Sequence, residues 1–107
     1  MSTAPKSQIL KMTDLAAYQE GSVVSRQITK ADGGNVTLFA FDAGQELSEH
    51  TAPYDALVHI LDGEAEVRIS GVSYLLASGD AILMPANEPH ALKATKQFKM
   101  LLTMVKA

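Results

Sequence analysis

Turn-forming residues interrupt this chain so often that long helices have no room in it. The clusters are Ala31-Asp32-Gly33-Gly34-Asn35, Asp62-Gly63, Ser70-Gly71, Ser78-Gly79-Asp80 and the two-proline stretch from Pro85 to Pro89. The segments between them read as strands. Val23 to Lys30 is rich in β-branched residues. In the return segment Val36 to Asp42, Val36, Leu38 and Ala40 point one way, while Thr37, Phe39 and Phe41 point the other. Both faces are apolar, so both need a cover, and an oligomer interface is one way to supply it. Ala56 to Leu61 reads as a strand that Asp62-Gly63 turns as a hairpin. Glu64 to Ser70 alternates, with Ala65, Val67 and Ile69 inward and Glu64, Glu66 and Arg68 in solvent. Phe98 to Val105 is almost continuously apolar, as in a strand covered on both faces. About eight or nine short strands with almost no helix define a closed all-β sandwich or barrel.

The N-terminal part is different. Residues 1–8 are small and polar and read as a flexible tail, leaving residues 9–107 as one domain. Ile9, Leu10 and Met12 are expected to lean on the barrel. Thr13 or Asp14 can cap a brief helix through Leu15, Ala16 and Ala17 that Gly21 stops.

Composition excludes several functions. The 107 residues suffice for one modest core. There is no cysteine, hence no disulfide framework, thiolate metal site or cysteine nucleophile. A net charge of −3 without a basic cluster, and the absence of tryptophan, argue against nucleic-acid binding. No apolar run spans a bilayer and the N-terminus lacks a secretory h-region, so no membrane association and a cytoplasmic location are expected.

Two glycine-opened stretches each deliver one histidine: Gly44 to Gly63 carries His50, and Gly79 to Ala94 carries His90. They suggest one barrel with one cavity. His59 lies nine residues beyond His50, and strand parity from Ala56 turns it outward. Glu46 shares parity with His50, whereas Glu49 and Asp55 do not, so Glu46 is the one carboxylate to set beside the histidines. Tyr54 can bring a phenol to the cavity rim. Met84, Met100 and Met104 read as core or cavity lining.

These spacings resemble the cupin superfamily, specifically its small single-domain conserved-barrel members. The first cupin motif is G-x5-H-x-H-x3-E-x6-G. Gly44, His50 and Gly63 match it, with Ala52 at the second histidine and Ala56 at the glutamate. The second is G-x5-P-x-G-x2-H-x3-N. Gly79, Pro85 and His90 match it, with Asn87 and Ala94 at the second glycine and the asparagine. The resemblance implies a cupin-type jelly-roll β-barrel and a homodimer. In metal-bearing cupins three histidines and one glutamate hold Fe, Mn, Ni or Zn. His50 and His90 are two of those four positions, and alanine offers no lone pair.

Two readings of the pair follow. In the first, His50, His90 and Tyr54 are the polar groups of an otherwise apolar small-molecule cavity. In the second, His50 and His90, with Glu46 or another group, form a reduced metal site of a dioxygenase- or isomerase-type enzyme. A metal-free histidine base acting on a carbohydrate or keto acid, as in sugar-epimerase relatives, is a variant of the enzyme reading. A module serving mainly to dimerise is a third class.

Overall fold

In the computed structural model, which describes residues 3–107, eight antiparallel strands form two curled sheets. The strands are β1 (Val23–Ala31), β2 (Gly34–Phe41), β3 (Glu46–His50), β4 (Tyr54–Ile69), β5 (Val72–Ala77), β6 (Ala81–Met84), β7 (His90–Lys93) and β8 (Phe98–Lys106). The larger sheet runs β1–β2–β8–β4–β6, and the smaller runs β5–β4–β7–β3. This is the closed all-β barrel expected from the turn spacing, in the jelly-roll form that the resemblance implied. Among the described residues no helix is long and apolar enough to cross a membrane.

β4 belongs to both sheets, which corrects the hairpin reading of Asp62-Gly63. The strand passes straight through these residues for 16 positions. Its first part pairs with β6 and β8, and Glu64 to Ile69 pairs with β5 and β7. The change of sheet coincides with a register shift between Ile60 and Asp62. Gly63 takes φ +79° there, a left-handed conformation that favours glycine. A hairpin turn and a bulged sheet crossing ask the same conformation of a glycine, so the dipeptide alone does not separate them.

Registry fixes the core. Phe41 lies opposite Phe98, and their rings stack with centroids 4.5 Å apart. Met100 lies opposite Ile60, and Met84 and Met104 flank Ala56. The inner residues of β4 from Ala56 to Ile60, and Ala65 and Val67 beyond the crossing, are all buried.

The second face of β2 is covered by the N-terminal segment, so no oligomer is needed there. Leu38 and Ala40 are buried with Ala16, against Met12, Leu15 and Tyr18. The expected helix is displaced: a single 3-10 turn spans Met12–Asp14, and Leu15 to Ala17 follow it without helical structure. Ile9 does not lean on the barrel, being 95% exposed. Within residues 1–8, the Ala4 N–H donates to the Ile28 carbonyl at 2.9 Å and the side chain is buried.

Polar contacts hold the segment in place. The Tyr18 hydroxyl donates to Asp62 at 2.5 Å, and Lys99 donates to the Thr13 carbonyl at 2.5 Å. Asp42 accepts from the Gly21 N–H at 2.7 Å and from Gln97 at 3.0 Å, which holds its carboxyl below the usual range.

Candidate functional site

The two histidines meet at one end of the smaller sheet. β3 and β7 pair with Glu46 opposite Lys93, Leu47 opposite Leu92 and His50 opposite His90. Between the last two pairs β3 advances three residues while β7 advances two, so β3 carries a bulge. That extra residue reverses the parity of β3. It returns His50 to the inner face, level with His90, although Leu47 is also an inner residue. The row continues through Ile69 of β4 to Val72 of β5.

The bulge overturns the assignment of Glu46. Parity counted along a regular strand sets Glu46 with His50. Glu46 instead lies opposite Lys93 on the outer face of the smaller sheet, in a cleft of about 430 Å3 that Glu66 and Arg68 also line. His59 behaves as parity requires, on the opposite face of β4 from buried Val58 and Ile60 and opposite Leu101. Tyr54 shares the inner parity of Ala56 at the start of β4 and is half-buried. It makes no side-chain hydrogen bond among the described residues.

Each imidazole is fixed by the backbone carbonyl two residues before it. His50 Nδ1 lies 2.8 Å from the Ser48 carbonyl, and His90 Nδ1 lies 3.2 Å from the Glu88 carbonyl. The two Nε2 atoms are 3.1 Å apart, with the rings edge to face at 71°. His90 is buried, at 5% exposure, whereas His50 is exposed. The carbonyl partners escaped the sequence reading. Their signal is local: in both cases the acceptor is residue i−2, Ser48 within β3 and Glu88 in the bend that precedes β7.

Carbonyl oxygens only accept, so both Nδ1 atoms donate, which leaves the two Nε2 atoms, 3.1 Å apart, as the working face of the pair. Burial, followed by the nearby His50, holds the His90 imidazole below its ordinary range despite its bond to Glu88.

A stability prediction follows from the His90 shift. The unfolded chain takes up this proton near pH 6.5 while the folded chain resists it to lower pH. Unfolded molecules then bind more protons, so His90 contributes falling stability as pH drops from about 6.5 through its lowered folded value. Urea denaturation at pH 7.5 and 5.5 should show lower stability at 5.5, with the difference reduced in His90→Gln.

The donor set is short of what a resident transition-metal ion normally takes. His50 and His90 supply two nitrogens, against the three or four protein ligands usual for such a site. Ala56, at the motif's glutamate position, is buried between Met84 and Met104, so that position is filled by apolar packing. Among the described residues no three His, Cys, Asp or Glu side chains gather closely enough to hold an ion.

An antiparallel barrel with an apolar interior, carrying two backbone-anchored histidines at one end of its smaller sheet, defines a small barrel of the double-sheet type. The chain belongs to the cupin family: the family model described as "Cupin domain" matches residues 37–106. A conserved protein of unknown function from Streptococcus pyogenes is 37% identical, with a TM-score of 0.92 over 100% of this chain and 96% of that one. A cupin superfamily protein from Desulfitobacterium hafniense is 28% identical, with a TM-score of 0.91 over 99% and 97%. A cupin 2 conserved barrel domain protein from Leptotrichia buccalis is 39% identical, with a TM-score of 0.89 over 91% of this chain and 47% of that one. No curated protein matches the chain at a comparable level of significance.

Proposed function

We propose that this cupin binds a small molecule through its histidine pair, and that the group recognised is a carboxyl. The observation that carries this reading is the convergence of two Nε2 atoms at 3.1 Å, with each Nδ1 already committed to a carbonyl. The spacing suits a bidentate partner whose two polar atoms, the oxygens of a carboxyl group or of a carboxylate and a neighbouring hydroxyl, meet the two Nε2 atoms. The exposed face of His50 is the side of approach, and Tyr54 is the further polar group nearest in parity. Opening the direct bond between the rings costs little, because the ligand restores both partners.

Thermal-shift and calorimetric titration with a panel of small mono- and hydroxycarboxylic acids tests this, in the presence of a chelator and at pH 6 and 8. Binding is expected to weaken about tenfold or more in His50→Ala and His90→Ala. Acid binding that survives both substitutions sinks the reading. A near-stoichiometric metal in untreated protein, lost in His50→Ala, replaces it with the metal-dependent alternative.

A further inference from the structure

We infer that Ser70 and Glu88 are positioning residues for the histidine pair, taken, as proposed above, to be the ligand-binding face: the hydrogen bond between their side chains fixes the carbonyl that holds the His90 ring. They act through the segment 85–89 and not on the ligand itself.

That segment is the passage from β6 in the larger sheet to β7 in the smaller. Its residues form a turn and a bend, outside every strand ladder, so isolated hydrogen bonds must place it. On the larger-sheet side the Ala86 N–H donates to the Asp55 carboxylate at 2.9 Å. In the middle the Asn87 N–H donates to the Ala52 carbonyl at 2.8 Å. On the smaller-sheet side the Ser70 N–H donates to the Pro89 carbonyl at 2.8 Å, and the Ser70 hydroxyl donates to Glu88 Oε2 at 3.0 Å.

These bonds reach both rings. Ala52 lies two residues after His50, and the Glu88 carbonyl holds His90 Nδ1 at 3.2 Å. One short segment is thus tied to the chain beside His50 and carries the anchor of His90. Its placement sets the separation of the two Nε2 atoms. The β3–β7 ladder does not set it alone, because the bulge interrupts that ladder just before His50. Two ring nitrogens that meet two atoms of one small group must be held to about 0.5 Å.

The Ser70–Glu88 bond is the tie made by side chains at both ends, and it grips the residue whose carbonyl does the anchoring. Ser70 sits at φ +49°, in the left-handed region that glycine adopts freely. What serine offers in place of glycine there is the hydroxyl.

The same backbone conformation lets positioning be separated from stability. Ser70→Gly removes the hydroxyl, keeps the N–H that donates to Pro89 and suits the positive φ, so its urea midpoint should equal or exceed that of the wild type. Glu88→Ala removes the acceptor, whereas Glu88→Gln keeps an oxygen that accepts from Ser70. In imidazole 15N–1H spectra at pH 8, wild-type His90 should be a single Nδ1–H tautomer. Ser70→Gly and Glu88→Ala should turn it into a mixture of tautomers. Both should also weaken binding of glycolate, a carboxylate with a neighbouring hydroxyl, by about threefold to tenfold. Glu88→Gln should keep the wild-type spectrum. A His90 tautomer left unchanged by both Ser70→Gly and Glu88→Ala overturns the inference. So does a change in Ser70→Gly that comes with a lower urea midpoint, the mark of a bond that serves stability alone. If no carboxylic acid binds the wild type, the ligand reading falls, and the spectra still decide the role of Ser70 and Glu88.

Discussion

Gly63→Ala is expected to cost roughly 4 kcal/mol, enough to leave a domain of this size largely unfolded or with a melting temperature lower by about 15–30 °C. Two effects add. The position holds φ +79°, where a side chain carries a conformational penalty of about 1–2 kcal/mol. The larger effect is contact. A Cβ at Gly63 would stand 1.8 Å from the Gln97 carbonyl oxygen and 2.8 Å from the Phe98 Cα. These are backbone atoms at the start of β8, and β8 cannot withdraw without giving up its pairing with β4. Gly71→Ala is the control, with φ +81° and no atom within 4 Å of the added Cβ. It should cost only about 1 kcal/mol. Chemical denaturation of both variants separates the two effects, and equal losses would mean that the close approach of β4 to β8 is wrong.

Phe98→Ala should cost about 3–5 kcal/mol. Phe98 is fully buried, opposite Phe41 across the β2–β8 ladder, and the rings stack at 14°. Removing it abandons the apolar transfer, leaves a cavity beneath Phe41 and strips away an aromatic contact of about 1 kcal/mol. Strands on both sides are pinned by ladder hydrogen bonds and cannot collapse into the space. Phe98→Leu keeps most of the volume and should cost under about 2 kcal/mol. Urea midpoints measure both. A loss below about 1.5 kcal/mol for Phe98→Ala would show that the stacked pair is not the keystone of this end of the core.

The barrel was legible because its signals are local. Gly71 and Gly79 sit at turns with open space around them, and Ala65, Val67 and Ile69 alternate with charged neighbours. The errors lie where a local signal has two non-local meanings. Asp62-Gly63 offers a left-handed glycine to a hairpin and to a bulge alike, and what decides is the approach of Gln97 and Phe98, which lie far along the chain. The glutamate partner was misplaced for a related reason. Parity counting is sound along Ala56 to Ile60, where it set His59 outward. It failed across β3, whose extra residue between Leu47 and His50 leaves no mark in composition. The cover over Leu38 and Ala40 was hidden because Met12, Leu15 and Tyr18 form no regular element, so no period announces them. The histidine pair was within reach from motif spacing. The anchoring of each ring was not, since the carbonyl acceptors of Ser48 and Glu88 are visible only in three dimensions.

The position of β8 has a bearing on how the protein reaches this state. β8 is the last strand in sequence, yet it lies between β2 and β4 and pairs with both. Until residues 98–106 leave the ribosome, the larger sheet exists only as two unjoined parts, and β2 and β4 display edges that the finished barrel hides. Closure is therefore a late, long-range event whose loop-closure entropy is met only when most of the chain is available. Nascent chains stalled before Phe98 should be readily digested by protease and bound by holdase chaperones, and resistance should appear in a single step once β8 has emerged.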